Sequence, residues 1–204
     1  MTRHFFLTGS VIALLSACGG GGGGSDSVSF AELLDRTDQL GLLDGDFLED
    51  DETDFEAIPT TGSATYTGVA TVSSFAEIND EPDEQDFVAL GATTLTADFG
   101  DQSISGSADN FFQIDNVDAE NLEDLTGERI DGSLEYELVQ VEGGINFYEG
   151  SVSGSVSPTD AAEIDIDQTF AGFFTGEDAD GFIAVANEPD TEVDADVLIV
   201  TTID

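Results

Sequence analysis

The rhythm of hydrophobic and polar residues along this chain changes twice. Residues 5–15, "FFLTGSVIALL", form a continuous apolar run, which has the length of a signal h-region and is too short to cross a bilayer. Between 29 and 43 the apolar residues Phe30, Leu33, Leu34 and Leu40 recur at helical spacing behind "SFAE". Serine and glutamate three apart can satisfy each other's free backbone amides, so one short amphipathic helix is predicted over 29–43, docked on the domain that follows. From Gly62 onward the period becomes two. "TTLTADF" (93–99) puts Leu95, Ala97 and Phe99 on one face and Thr94, Thr96 and Asp98 on the other. "EIDIDQTFAGFF" (163–174) sets Ile164, Ile166, Phe170 and Phe174 against Asp165, Asp167 and Thr169. With 63–72, 103–111, 128–140, 143–156, 180–186 and 192–204 this makes roughly eight strands. The class expected is all-β, an antiparallel up-and-down barrel. Gly68, Gly91, Gly106, Gly132, Gly154 and Gly172 fall inside the runs, where a small barrel needs sharp bends. Only "DAENLEDL" (118–125) has helical character. The outward positions are Thr, Ser and Asp rather than an apolar band, so the barrel is expected to sit in water and not in lipid.

The front of the chain explains its only cysteine. Arg3 and His4 precede the apolar run, and Leu15-Ser16-Ala17-Cys18 follows it. That tetrapeptide resembles the bacterial lipobox. In that class of signal a diacylglyceryl group is attached to the cysteine sulfur, cleavage falls before the cysteine, and the freed amino group is acylated with a fatty acid such as palmitate. An ordinary signal peptide would leave an unpaired thiol in an oxidising compartment, which a single leftover cysteine makes a liability. More than one acyl chain gives stable anchoring, and Cys18 would carry them. Gly19 after the cysteine implies, by the same resemblance, sorting to the outer membrane, with the barrel on the cell surface or the periplasmic face. The organisation expected is a signal peptide at 1–17, a Gly/Ser tether at 18–28, the helix and an acidic linker at 29–58, and the barrel at 59–204.

Composition narrows the partners. The whole chain has a formal charge of −42, and after cleavage only Arg36 and Arg129 stand against 45 acidic residues. Such a surface repels nucleic acid and anionic headgroups. Self-repulsion at this density is relieved by salt, which points to a saline habitat; the rival, intrinsic disorder, suits only 44–58, "DGDFLEDDETDFEAI".

Several stretches together resemble the β-barrel domain of transferrin-binding protein B, which recurs in surface lipoproteins such as the factor H-binding proteins. They are "GSATYTG" (62–68), "LTADFGDQSISGSADNF" (95–111), "GSVSGSV" (150–156) and "GFF" (172–174), and the likeness covers most of 60–204. It implies a barrel in a lipoprotein setting. The chain departs from the family after Gly172-Phe173-Phe174, where neither an aromatic-Gly-Pro turn nor a Gly-Gly pair follows. One barrel stands where transferrin binders carry two lobes, so transferrin itself is not implied.

The inventory of reactive groups is short. The single histidine lies in the signal and lysine is absent, which removes Ser-His-Asp, Cys-His and lysine-base chemistry and His/Cys zinc sites from the mature chain. Haem iron would have only Tyr66, Tyr136 or Tyr148 as protein ligands. Paired carboxylates could serve a glycosidase, but among 45 acids a pair carries no signal. Asp178-x-Asp180-Gly181 matches part of a calcium loop, although Gly176 and Asn187 occupy the positions of two key ligands. No cofactor is expected, calcium being the one candidate.

The expected function is therefore a non-enzymatic, outer-membrane-anchored binding module for a protein or small nutrient, in nutrient or iron acquisition. An outer-membrane receptor or a lipoprotein exporter would be its neighbour. The alternative is a calcium-dependent structural or adhesive envelope protein, and a carbohydrate hydrolase is a third class. Binding is expected on the two longest connections, 73–86 and 112–127, where Phe75, Ile78, Phe112, Ile114 and Leu122 are apolar anchors among acids that would steer a basic partner.

Overall fold

A computed structural model describes residues 28–42, 52–75, 85–114, 125–186 and 195–203, with the backbone alone at 74–75 and 85–86. Within them lie helix α1 (Phe30–Gln39), a 3₁₀ turn (Phe55–Ala57) and nine strands. The strands are β1 (Ser63–Phe75), β2 (Gln85–Asp98), β3 (Ser103–Ile114), β4 (Gly127–Arg129) and β5 (Asp131–Gln140), then β6 (Tyr148–Ser157), β7 (Ile164–Thr175), β8 (Gly181–Ala186) and β9 (Ala195–Ile203). Eight of them pair in sequence order, all antiparallel, and β1 closes the ring on β9; the short β4 adds to the end of β3. The eight-stranded barrel read from the alternation is the fold. The run 143–156 begins as strand only at Tyr148, because Gly143 and Gly144 turn the chain with φ of 140° and 69°. The 118–125 helical signal lies outside the described residues except at its last position.

Alternation sorts the side chains. Leu134, Tyr136 and Leu138 of β5 point inward and are buried, while Glu135 and Glu137 between them are exposed. The inward set from all eight strands packs into one cluster that fills the interior, including Tyr66, Phe111, Phe170, Phe174 and Phe182. Eight strands make a ring narrow enough for side chains to fill. Closing so small a ring brings backbones together at the strand glycines: a Cβ on Gly68 would overlap the Val200 carbonyl oxygen, and one on Gly154, at φ 145°, the Ser133 carbonyl oxygen. No L-residue with a side chain fits there without moving the neighbouring strand.

Helix α1 starts behind Ser29 as expected but ends at Gln39, short of 43, because Gly41 takes the left-handed conformation. The Ser29 hydroxyl accepts from Glu32 N–H at 3.3 Å, and Glu32 accepts from Ser29 N–H at 2.8 Å, completing the capping box. At the other end Gly41, φ 65°, and Leu42 donate back to the Asp38 and Thr37 carbonyls, the Schellman closure that glycine favours. The helix docks outside the barrel. Leu33 is fully buried there, and Phe30, Leu34 and Leu40 join it against Val69, Leu90 and Phe112. A bulge in β3, where Asn110 takes φ 55°, explains the seat: Phe111 turns into the barrel and Phe112 out beneath the helix. Arg129 fastens the start of the helix, its guanidinium 4.6 Å from the Phe112 ring centre and donating to Val28 O at 2.7 Å and Asn110 Oδ1 at 2.8 Å.

Candidate binding surface

The two ends of the barrel differ. At one, β1 and β2, β3 and β4, and β8 and β9 are joined through 76–84, 115–124 and 187–194, which lie outside the described residues. The other is closed by tight turns and by residues 52–62 laid across it. Thr53 N–H donates to Phe174 O at 3.0 Å, and its hydroxyl to Gly176 O at 2.7 Å. Asn146, buried in the β5–β6 hairpin, ties the pieces together. Its amide nitrogen donates to Thr53 O at 3.0 Å and Phe174 O at 2.7 Å, and its oxygen accepts from Phe174 N–H at 2.9 Å. Three bonds from one buried amide fix the strap in place, since leaving any of them unmade underground is costly.

Beneath the strap sits an aromatic plug. Phe174 packs on Tyr66, Phe99, Tyr148 and Phe182 with ring centres 5.1–5.8 Å apart, and Ile58 closes it from above. The Tyr66 hydroxyl donates to Ala179 O at 2.8 Å, and burial pushes the phenols of Tyr66 and Tyr136 well above their ordinary range and raises that of Tyr148. All three tyrosines that could have faced an iron are thus packed inside. On top of the plug is a groove of about 200 Å³, bounded by Phe55, Ile58, Pro59, Phe99, Gln102, Gln140 and Tyr148, with Glu56 at its edge. A larger, more open depression of about 510 Å³ lies on the outer wall and is lined by Ser105, Ser107, Glu135, Glu137, Ser151 and Ser153.

The sequence-derived site residues separate in the fold. Cys18, Ile78 and Leu122 lie outside the described residues, and Phe75 ends β1. Phe112 and Ile114 are not loop anchors: β3 continues through both, Phe112 is buried, and they pack in the cluster under α1. The connections are correspondingly shorter than 73–86 and 112–127. The alternation hid this because the bulge at Asn110 breaks it where the strand still runs. Asp178 and Asp180 are both exposed in the β7–β8 turn, whose shape is held by Tyr66 and by Ile203 N–H donating to Asp180 O at 2.8 Å. Among the described residues no three His, Cys, Asp or Glu side chains converge as metal ligands. Phe55, which lines the groove, and Ile145, in the hairpin next to it, were missed; each is a lone large apolar residue amid acidic or glycine-rich neighbours, "TDFEA" and "EGGIN".

No known family matches the sequence, and no curated protein does. Solved structures do match the fold. Transferrin-binding protein B from serogroup B Neisseria meningitidis is 15% identical over 75% of this chain and 28% of its own, with a TM-score of 0.46. A Trp-176-Ala mutant of the same antigen from Haemophilus parasuis Hp5 gives 14% identity, 74% and 28% coverage and a TM-score of 0.48. A structure described as a surface lipoprotein gives 14%, 72%, 63% and 0.44. The chain thus spans little more than a quarter of the transferrin-binding proteins it matches. At these identities and TM-scores the likeness extends to the barrel and no further. The eight-stranded barrel resembles that of transferrin-binding protein B in fold alone.

Proposed function

We propose that this chain is a lipid-anchored envelope protein of the binding kind, which recognises a protein or small nutrient with its outer surface and performs no chemistry of its own. The observation that carries the reading is the filled interior. Side chains from all eight strands occupy the space a small ligand would need, so recognition falls to rims and walls. The lipobox-like "LSAC" and the glycine tether behind it supply the anchor, and the absence of histidine and lysine from the mature sequence leaves few groups for catalysis. Transferrin is not carried over with the fold.

The reading is tested by fractionating cells that express the wild type or the Cys18→Ser chain. The wild type is expected in the outer membrane, labelled by a supplied fatty acid, and the mutant in a soluble fraction without label. A Cys18→Ser chain held in the membrane as firmly as the wild type would contradict the anchor.

A further inference from the structure

We propose that the closed end of the barrel is a docking face for a basic polypeptide segment, which inserts one large apolar side chain into the groove between the 55–57 turn and the β5–β6 hairpin.

Five large apolar residues remain exposed among the described residues: Phe55, Val139, Ile145, Val185 and Ile203. Four of them are at this end; Phe55, 40% exposed, lines the groove and lies against Gly144, and Ile145, 48% exposed, follows Gly144 in the β5–β6 hairpin, where its carbonyl accepts from the side chain of the groove residue Gln140 at 3.2 Å. The floor is preorganised. Ile58, Phe99 and Tyr148 belong to the packed core, and the strap above them is pinned through Thr53 and Asn146. A rigid, partly apolar hollow with an aromatic base suits one anchoring side chain, the arrangement that concentrates binding energy in an interface.

Charge decides the kind of segment. Glu56 edges the groove, and Asp54, Asp98, Asp101 and Glu142 lie on the same straps and turns. Of the two arginines in the described residues, Arg129 holds Val28 at the far end and Arg36 is on α1, so neither lines the groove. A cationic segment would be steered here and an acidic one repelled. Placement agrees with this. The described chain begins at Val28 beside β4, at the opposite end, so in the anchored reading, on which this point alone rests, the groove faces away from the membrane.

The chain has no tryptophan, so a lysine-rich peptide with one central tryptophan reports on itself. Bound to the full chain bearing Cys18→Ser, its emission is expected to shift to the blue. Phe55→Ser and Ile145→Ser are each expected to weaken binding about tenfold, the worth of part of a buried side chain, and Val185→Ser to leave it unchanged. The same peptide with serine in place of tryptophan should fail to displace the first. Binding without a blue shift, or binding that Phe55→Ser and Ile145→Ser leave intact, would overturn the groove whatever the anchoring. Lipidated protein in neutral phosphatidylcholine vesicles should bind the peptide as tightly as the Cys18→Ser chain. Binding by the Cys18→Ser chain alone would overturn the membrane-distal placement, while the groove stood and the anchored reading, which the fractionation tests, was untouched.

Discussion

The outward faces of β1–β3 and of β5–β7 follow the same alternation but carry different side chains. On the first, Val69, Leu90, Ala92 and Phe112 are apolar, and helix α1 covers them. On the second, Glu135, Glu137, Ser151, Ser153, Asp165 and Asp167 are exposed to water. One wall therefore has hydrophobic cores on both sides of its backbone, and the other has a core on one side only. A sheet buried on both faces must be apolar on both, and the four outward exceptions are where the helix was needed. Carboxylates in mid-strand on the bare wall would be costly in a bilayer, so that wall belongs in water.

The largest effect is expected where the walls share a constraint rather than where they differ. Gly154→Val on the bare wall should abolish folding, because its side chain would overlap the Ser133 carbonyl and the position needs φ 145°. Circular dichroism of the purified chain checks this; a cooperative melt near that of the wild type would show the strands can part. The walls also share an interior. Tyr66, Tyr136 and Tyr148 have raised pKa values in the fold, through burial first, so their stabilising contribution is complete below the unfolded value of about 10 and is lost as pH rises above it. Tyrosinate absorbance should therefore appear only as the barrel unfolds. Normal titration of the phenols in a folded chain would mean the interior is open to water.

The walls separate at the next two substitutions. Phe112→Ala should cost about 3–5 kcal/mol and loosen α1, since it removes a buried ring together with the surface that Phe30 and Arg129 lie on. Glu137→Ala, on the bare wall, should change stability by no more than about 0.5 kcal/mol. Equal effects in a denaturant titration would erase the distinction between them. Smaller than the Phe112 loss, about 1 kcal/mol, is the expected cost of Ser29→Ala, which removes the cap of the docked helix.

Much of this was legible. Strict alternation at 93–99 and 163–174 marked strands with one wet face, and "SFAE" marked the start of the helix to the residue. The covered wall was harder to read. Val69 and Leu90 are outward residues with inward chemistry, and period alone cannot say what lies on top of them. Phe112 was misplaced for the same reason, with a bulge just before it. The groove was illegible because it is assembled from three segments distant in sequence, 55–60, 99–102 and the β5–β6 hairpin at 140–148, and no local pattern brings Phe55 to that hairpin. Only the strap's hydrogen bonds to Asn146 and Phe174 do that.

The central claim is that the barrel hangs in water on a lipid leash, with neither wall in the bilayer. Glu137→Trp gives the lipidated chain a single indole in the middle of the bare wall. In vesicles of brominated phosphatidylcholine its emission should be that of an indole in water and should show no quenching by the bromines. Strong quenching with a blue-shifted emission would put the wall in lipid and contradict the account.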